Sequence, residues 1–268
     1  MKKSLLSISL LSALFLGSCG DENSFLTNVI TTEGAKVKFV HAAPDAPGVA
    51  IFVNDKKVSG VLTVAPTTPG IITYGGVFPA QDYANLASGA AKVAVTTPTV
   101  NNAVILSGDV SLESGKFYTV IATGLAPTYS PVVIQDNIPA VSGNKVFFRV
   151  INLVTNAADA EVTILGSSAA TGIKPKEGGD KFIAVELPNY VSGSVTVPVV
   201  VKLNGTSTAT TDGSITASQT LSYTGVTPGR VYTIITRGLL ATQAKDATGK
   251  MVTTASKYAA GSTAYTNR

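Results

Sequence analysis

The sequence has few of the residues on which most enzyme active sites depend. Its 268 residues include one Cys, one His and no Trp. A zinc site needs three or four nitrogen or sulfur ligands, which one His and one Cys cannot supply. No G-x-S-x-G turn accompanies His41 to support a Ser-His-Asp triad, and no EF-hand or P-loop pattern occurs. These shortages predict a protein that is not an enzyme and that holds no metal or other cofactor.

Charged side chains are also scarce, at 13% of the chain. If Lys2 and Lys3 are removed with an N-terminal signal, 18 basic residues face 16 acidic ones. No cluster of Lys and Arg is longer than two residues. Proteins that bind nucleic acids concentrate positive charge on one surface. Despite a sequence pI near 9.0, we therefore exclude nucleic acid as a partner.

The residues that are abundant indicate an all-β protein. Hydrophobic residues make up 45% of the chain, and Thr, Val, Ser, Ala and Gly dominate its composition. The β-branched members of this set favour strands, whereas the strong helix formers Glu, Lys and Leu are less prominent. No ten-residue stretch has a clean helical period. The composition is typical of an extracellular all-β protein.

The N-terminus has the pattern of an export signal. Lys2 and Lys3 precede the apolar run Leu5–Leu16, which is too short for a membrane span of about 20 residues. The run ends in Leu16-Gly-Ser-Cys19, which resembles a bacterial lipobox. That resemblance implies a lipoprotein signal peptide over residues 1–18 and a diacylated, palmitate-bearing Cys19. The alternative is an ordinary signal peptide followed by a chance cysteine.

The residues after Cys19 bear on localisation. We predict a tether over residues 19–34, which begins with the acidic segment Gly20-Asp-Glu-Asn23. This segment resembles the surface-export signals of Bacteroidetes lipoproteins, and the alternative is a solvated linker. We expect a lipid-anchored protein of the cell envelope in the outer membrane, on its periplasmic or its surface face. We expect the protein to attach to the membrane through the N-terminal lipid, and its other partner is an envelope protein or a glycan.

Two internal repeats organise the rest of the chain. The segment Gly115–Leu125 recurs 114 positions later as Gly229–Leu239, and Val37–Val53 is echoed 111 positions later by Phe148–Ile164. Short β-branched and aromatic runs separated by turn residues fill the space between these segments, as expected for sandwiches. We predict two tandem immunoglobulin-like (Greek-key) β-sandwich domains, at residues 35–139 and 140–258, followed by a frayed tail at residues 259–268.

The repeated segment has a structural interpretation. Leu112–Tyr118 and Val226–Tyr232 each combine an apolar residue, a turn Gly and a Tyr at the same spacing. This spacing resembles the tyrosine corner of immunoglobulin-like domains, in which the Tyr hydroxyl bonds to the backbone a few residues upstream. We expect Tyr118 and Tyr232 to make that bond. The alternative is an ordinary core Tyr whose hydroxyl lies at the surface.

The segment Lys36–Val53, with His-Ala-Ala-Pro-Asp-Ala-Pro at residues 41–47, resembles the DUF4397 family, as does Gly115–Gly124. The resemblance covers Ala35–Leu239 as two tandem copies, although the second copy has Asn152 where the first has His41. It implies a bacterial envelope or secreted protein, often a lipoprotein in Bacteroidetes, and it assigns no catalytic residues.

The remaining candidate residues have either a predicted structural role or a ligand contact as one of two interpretations. Because Asn152 cannot act as a general base, we expect His41 to fix the following turn by bonding to its backbone or to Asp45. Tyr83 and Tyr190, in loops rich in Gly, Pro and Asn, are possible ligand contacts, or else rim packing. The leading hypothesis is a non-enzymatic envelope lipoprotein that binds or spaces another macromolecule. The alternative is a glycan-binding accessory of a polysaccharide-uptake system.

Overall fold

The structure, a computed structural model, describes residues 34–59, 70–98, 103–141, 143–187, 189–206 and 215–268. Every regular element in these ranges is a β-strand, which confirms the all-β prediction. Within them, no helix is long and apolar enough to cross a membrane. The predicted signal peptide, Cys19 and the predicted tether before Gly34 lie outside the described residues.

The first sandwich consists of two sheets, an inner mixed sheet that contains one parallel pair and an outer antiparallel sheet. Its strands are β1 (Ala35–His41), β2 (Ala50–Val53), β3 (Lys56–Lys57), β4 (Val77–Phe78), β5 (Ala84–Leu86), β6 (Gly89–Thr96), β7 (Val104–Leu112), β8 (Phe117–Leu125) and β9 (Thr128–Gln135). The inner sheet has the order β4-β1-β8-β9, and β5 also pairs with β1. The outer sheet has the order β3-β2-β6-β7. Strands β1 and β8 run parallel, with Phe39 opposite Val120.

The second sandwich repeats this arrangement. Its strands are β10 (Lys145–Asn152), β11 (Ala157–Ile164), β12 (Ser167–Ile173), β13 (Ile183–Glu186), β14 (Val199–Gly205), β16 (Gln219–Tyr223), β17 (Val231–Arg237) and β20 (Gly261–Thr266). The inner sheet is β13-β10-β17-β20 and the outer sheet is β12-β11-β14-β16. Strands β10 and β17 are again parallel, with Val150 opposite Ile234. The two copies therefore share one topology.

The second copy carries an additional small sheet. Strands β15 (Ile215–Thr216), β18 (Thr242–Lys245) and β19 (Met251–Thr254) pair in the order β15-β18-β19. Within the described residues, strand β19 pairs only with β18, and it is exposed along its whole length.

The predicted frayed tail at residues 259–268 is wrong. Strand β20 pairs with β17 along six residues, from Tyr232–Thr266 to Arg237–Gly261. Tyr265 is buried, as is Asn267 after the strand. The Ala, Thr and Ser content of this segment resembled a polar tail, but one edge of β17 needs a hydrogen-bonding partner, and β20 supplies it. The second sandwich therefore extends beyond residue 258.

Each sandwich has its own core, and a third cluster joins them. Val37, Phe39 and Val120 belong to the first core, while Phe148 and Ile234 belong to the second. The third cluster combines inner-sheet residues of both copies, namely Val40, Ala42, Ile121, Ile151, Leu153, Ile235 and Tyr265. The inner sheets thus pack face to face, and the third cluster is the apolar part of this joint between the sandwiches. Six of the seven residues of β1 are buried, because the second sandwich covers the face that points away from the first core.

We predict that removing residues 259–268 prevents folding. The deletion strips the hydrogen-bonding partner from β17 and removes Tyr265 from the joint between the sandwiches, which amounts to several kcal/mol of lost burial and bonding. Thermal unfolding followed by circular dichroism should show no cooperative transition. A matched control shortens the exposed turn Asp246–Lys250 and should melt like the parent. Equal melting of the truncated chain and the parent would contradict the role given to β20.

Candidate functional site

His41 is buried and bonds to the loop that follows its strand. It ends strand β1 with 1% of its surface exposed, and its Nε2 lies 3.0 Å from the carbonyl oxygen of Pro47. Because a carbonyl only accepts, Nε2 donates this bond and holds the loop that follows the strand. The ring of Tyr74 meets the imidazole edge-on at 6.2 Å between centroids. Burial lowers the pKa of His41 below its ordinary value, and the bond to Pro47 opposes that shift.

Asp45 bonds to a different loop of the first sandwich. Its Oδ2 accepts a hydrogen bond from the backbone N–H of Ala126 at 2.8 Å, in the turn between β8 and β9. This Asp45 oxygen thus bonds to Ala126 and not to His41. His41 and Asp45 each connect the loop within residues 41–47 to a different part of the chain. The motif at residues 41–47 joins one end of β1 to the turn after β8.

Asn152 performs the corresponding task in the second copy. Its Nδ2 donates to the carbonyl of Ile173 at 3.0 Å, and its Oδ1 accepts from Val154 N–H at 3.1 Å and Thr236 Oγ1 at 3.0 Å. An amide offers a donor and an acceptor but no titratable nitrogen. The shared property of His41 and Asn152 is hydrogen bonding to a neighbouring loop. This equivalence favours a structural role for His41.

Both repeated tyrosines make the hydrogen bond that the sequence predicted. The hydroxyl of Tyr118 accepts from the backbone N–H of Glu113 at 3.1 Å, and that of Tyr232 accepts from Thr227 N–H at 2.7 Å. The preceding glycines have φ of 73° for Gly115 and 75° for Gly229, a region that side chains disfavour. The immunoglobulin-like classification that suggested these bonds stays a prediction.

Tyr83, which the sequence offered as a ligand contact or as rim packing, is hydrogen-bonded within the chain. Its hydroxyl donates to Asp136 Oδ2 at 2.8 Å and accepts from Asn267 Nδ2 at 2.7 Å. Its ring meets Phe117 edge-on at 5.0 Å between centroids. Tyr83 is half-buried between the sandwiches, so its hydroxyl is already used within the chain. Tyr190 is also half-buried and bonds locally to the carbonyl of Gly193 at 3.0 Å.

The centre of the joint is a buried ion pair that sequence reasoning missed. Arg149 Nη1 of the second sandwich lies 2.7 Å from Asp136 Oδ1 of the first, and neither side chain is exposed. Asp136 directly follows strand β9. Its Oδ2 also accepts from Thr119 Oγ1 at 2.6 Å. The carboxylate of Asp136 raises the pKa of Arg149 against the effect of burial, which keeps the guanidinium charged.

Three further hydrogen bonds hold the guanidinium of Arg149. Nε and Nη2 donate to Thr233 Oγ1 at 3.1 and 2.9 Å, and Nη1 donates to the carbonyl of Gly179 at 3.1 Å. Thr233 in turn donates to Asn267 Oδ1 at 2.6 Å. The guanidinium lies over the ring of Phe182, 4.6 Å from its centroid. A buried charge needs this degree of pairing and hydrogen bonding to be tolerated.

Lys38 is the equivalent of Arg149 in the first sandwich. Its Nζ donates to the carbonyls of Pro79, Gln81 and Asp82 at 3.0, 3.0 and 2.5 Å. It lies 4.9 Å from the centroid of Tyr83, as Arg149 lies over Phe182. Burial lowers the pKa of Lys38 to about 8, while Asp82 and Asp136 oppose the shift. Each inner sheet thus contributes one fully buried cation to the joint.

The sequence of strand β10 has a pattern that indicates this joint. Strand β10 reads Lys-Val-Phe-Phe-Arg-Val-Ile-Asn, with apolar residues at both alternations, and all but its first residue are buried. A strand covered on one face alternates apolar and polar residues, whereas one covered on both faces does not. Arg149 within such a strand indicates a buried charge that requires a partner. In the described ranges, no group of three or more His, Cys, Asp or Glu is placed to hold a metal ion.

Comparison with known proteins supports the predicted domain family. Residues 35–163 match the family model described as "Domain of unknown function (DUF4397)". The match covers the first sandwich and continues into β10 and β11 of the second. No curated protein sequence matches the chain. The family is therefore supported for this segment, and the two-copy assignment of the family stays a prediction beside the shared topology of the sandwiches.

We predict that Tyr118→Phe lowers the free energy of unfolding by about 1 kcal/mol, because the Glu113 N–H loses its acceptor within the chain. Chemical denaturation should show an unchanged slope and a lower midpoint. Tyr190→Phe is the matched control: it also removes one tyrosine hydroxyl bond, but an exposed one, and it should be nearly neutral. Equal stability of both variants and the parent would rule out a contribution from the corner.

We predict that His41→Asn weakens the dependence of stability on pH below neutrality. The folded chain holds His41 with a pKa below 6.5, so the unfolded state binds the proton more readily. The contribution of His41 to the free energy of unfolding is therefore fully present above the pKa that His41 has in the unfolded state. It falls as the pH drops from that value towards the lower pKa of the folded state. Denaturation at about pH 7.5 and about pH 5.5 should show a smaller loss in His41→Asn. Identical losses in variant and parent would disprove this assignment.

Proposed function

We propose that the chain is a cell-envelope lipoprotein that binds another macromolecule, or spaces a partner from the membrane, through a rigid body of two sandwiches. The observation that supports this most is the joint between the inner sheets, where the ion pair of Arg149 and Asp136 is fully buried. Domains that share a buried polar network and an apolar cluster move as one unit. Such a body presents its loops in fixed relative positions, which suits a binding module.

The proposed anchor is a lipid on Cys19, and residues 20–33 would connect it to the first described residue. Fourteen residues extend at most ~50 Å, at about 3.3–3.6 Å each. Several acyl chains at about 0.8 kcal/mol per buried methylene would hold the protein to the outer membrane permanently. The body would then act within a short distance of the membrane, on the periplasmic or the surface face.

The glycan-binding alternative has less support. It depended on Tyr83 and Tyr190 as stacking platforms, and the ring and hydroxyl of Tyr83 are engaged between the sandwiches. The macromolecular binding module is therefore the one function that we propose.

We predict that Cys19→Ser moves the protein from the membrane to the soluble fraction, since Ser cannot receive the thioether-linked lipid. Fractionation of cells that produce the full chain, followed by immunoblotting, measures this. Protease treatment of intact cells producing the parent chain reports which membrane face it occupies. Retention of the Cys19→Ser variant in membranes would disprove the lipoprotein assignment.

The binding role is tested by photo-cross-linking in intact cells. A benzophenone amino acid is placed at Val191 or Val104, which are 91% and 60% exposed, and at buried Ile151 as the control. The exposed positions should yield discrete adducts with another macromolecule, and Ile151 should yield none. Absence of any adduct at exposed positions distributed over the body would overturn the proposed function.

A further inference from the structure

The last residues of the parallel strands in both sandwiches meet at one end of the joint. Strands β1 and β8 end there together, and so do β10 and β17. Gly75, whose N–H bonds to the last residue of β1, accepts a hydrogen bond from Thr263 Oγ1 of β20 at 3.1 Å. The carbonyl of Gly34 bonds instead to Gly115, just before β8 begins. We call the first of these ends the distal end, because the chain enters the first sandwich at the opposite one.

Arg237, the last residue of β17, holds its guanidinium in a fixed position at the distal end. The guanidinium carbon lies 4.4 Å from the centroid of the Tyr74 ring in the first sandwich. In the second sandwich, Nε donates to Thr263 Oγ1 at 2.7 Å, and Nη2 lies 3.5 Å from the carbonyl of Ser262. Gly75 leaves room for this arrangement, since a Cβ there would lie 2.8 Å from Nη2. Both sandwiches therefore position this cation.

Within the part of the chain that the structure describes, this guanidinium has no counter-ion, unlike that of Arg149. The ion pairs there involve Lys145, Arg149 and Lys202 as cations. Arg237 is half-buried, so water hydrates it only in part. Over the described ranges its Nη1 makes no hydrogen bond, and the buried hydroxyl of the Tyr74 ring that it covers has no partner either. Buried polar groups normally have a hydrogen-bond partner, so these donors indicate a missing acceptor.

The fold does not require a cation at this position. The equivalent residue of the first copy, 114 positions earlier, is Thr123, which is 1% exposed. Strand β8 continues past it and pairs with β9 up to Leu125. A Thr near the end of this strand is thus compatible with the same topology. The guanidinium of Arg237 therefore serves a purpose other than closing the sheet.

A second cation lies over a tyrosine at the distal end. Lys257 Nζ lies 5.2 Å from the centroid of the Tyr258 ring. The carbonyl of Tyr258 accepts a hydrogen bond from the backbone N–H of Leu239 at 2.7 Å, two residues beyond Arg237. Each cation keeps its charge available to an anion while it covers a ring face on which a sugar would stack. The pair of cations thus favours an anionic group as the ligand.

Two acidic side chains at the distal end bond to backbone groups instead of to these cations. Asp45 Oδ2 accepts from Ala126 N–H at 2.8 Å, and Glu177 Oε2 accepts from Lys174 N–H at 3.1 Å. Their charges leave the cations unpaired but make the surroundings unfavourable for an anion with two negative charges. One guanidinium near a carboxylate therefore favours a ligand group with a single negative charge.

We propose that the distal end of the joint holds a binding site for a carboxylate, which sits on the guanidinium of Arg237. This inference rests on the proposed binding function, for which it names a point of contact and the chemistry of the bound group. A carboxylate matches the planar N–H fork of Arg with two oxygens, and its single charge balances that of the guanidinium. The distal end faces away from Gly34, so a lipid tether at that terminus leaves the site accessible.

The site is tested with sodium acetate, titrated into the full chain in a nonionic detergent at constant ionic strength. Backbone amide resonances of Tyr74, Gly75 and Thr263 should shift saturably in the parent, and these shifts should be lost in Arg237→Met. Arg230→Met is the matched control, because Arg230 is an exposed Arg directly before β17, and it should retain binding. If Arg237→Met does not fold, Arg237→Lys keeps the charge but loses the N–H fork, and it should bind acetate more weakly.

The outcomes separate this site from the proposed function. Absence of a saturable shift in the parent, or equal binding by the parent and the Arg237 variants, would overturn the site. Tighter binding of inorganic phosphate than of acetate would overturn the carboxylate assignment. Tighter binding of capped glutamate than of glucuronate identifies a protein as the source of the carboxylate, and the reverse order identifies a glycan; both orders support the site. If cross-linkers at Val191 or Val104 yield adducts while acetate does not bind, the function stands and the site falls. Acetate binding without any adduct gives the reverse.

Discussion

The buried ion pair between Arg149 and Asp136 is the interaction on which the architecture depends. Its two side chains come from different sandwiches and are removed from water together. Moving one such charge into the interior alone costs several kcal/mol, so the pair is tolerated only when both partners and their hydrogen bonds are in place. Thr119, Tyr83 and Thr233 complete these bonds. The inner sheets must therefore meet in one register, and the two copies form a single body.

The two copies contribute equivalent positions to the joint, but the residues at these positions are not identical. Lys38 and Arg149 occupy equivalent positions, and so do Thr119 and Thr233. Asp136 and Asn267 follow equivalent strands, and each N–H bonds to the residue that begins the parallel strand. Two carboxylates here would face each other in a dry site and repel. An Asp in one copy and an Asn in the other give one charge pair and one neutral hydrogen-bonding partner, which specifies how the copies face each other.

The sequence predicted what is local or repeated. The strands around Val37 and Phe117, the hydroxyl bonds of Tyr118 and Tyr232, and the bond from His41 to its loop all follow from turn residues and spacing. Features that require two distant segments to meet were not predictable from these patterns. The pairing of Asp136 was not predictable because its partner, Arg149, belongs to another domain. The hydrogen bonds of Tyr83 depend in part on Asn267 of the second sandwich, and the order of β20 depends on its pairing with β17.

The most direct test of the joint is a double-mutant cycle on Arg149→Met and Asp136→Leu, read as the free energy of unfolding. Each single variant leaves an unpaired charge in a dry interface and should lose about 3–5 kcal/mol. The double variant should lose less than either single variant, in one cooperative transition of both sandwiches. Small, additive losses of under about 1 kcal/mol, or two separate transitions in the parent, would contradict the claim that this ion pair unites the sandwiches.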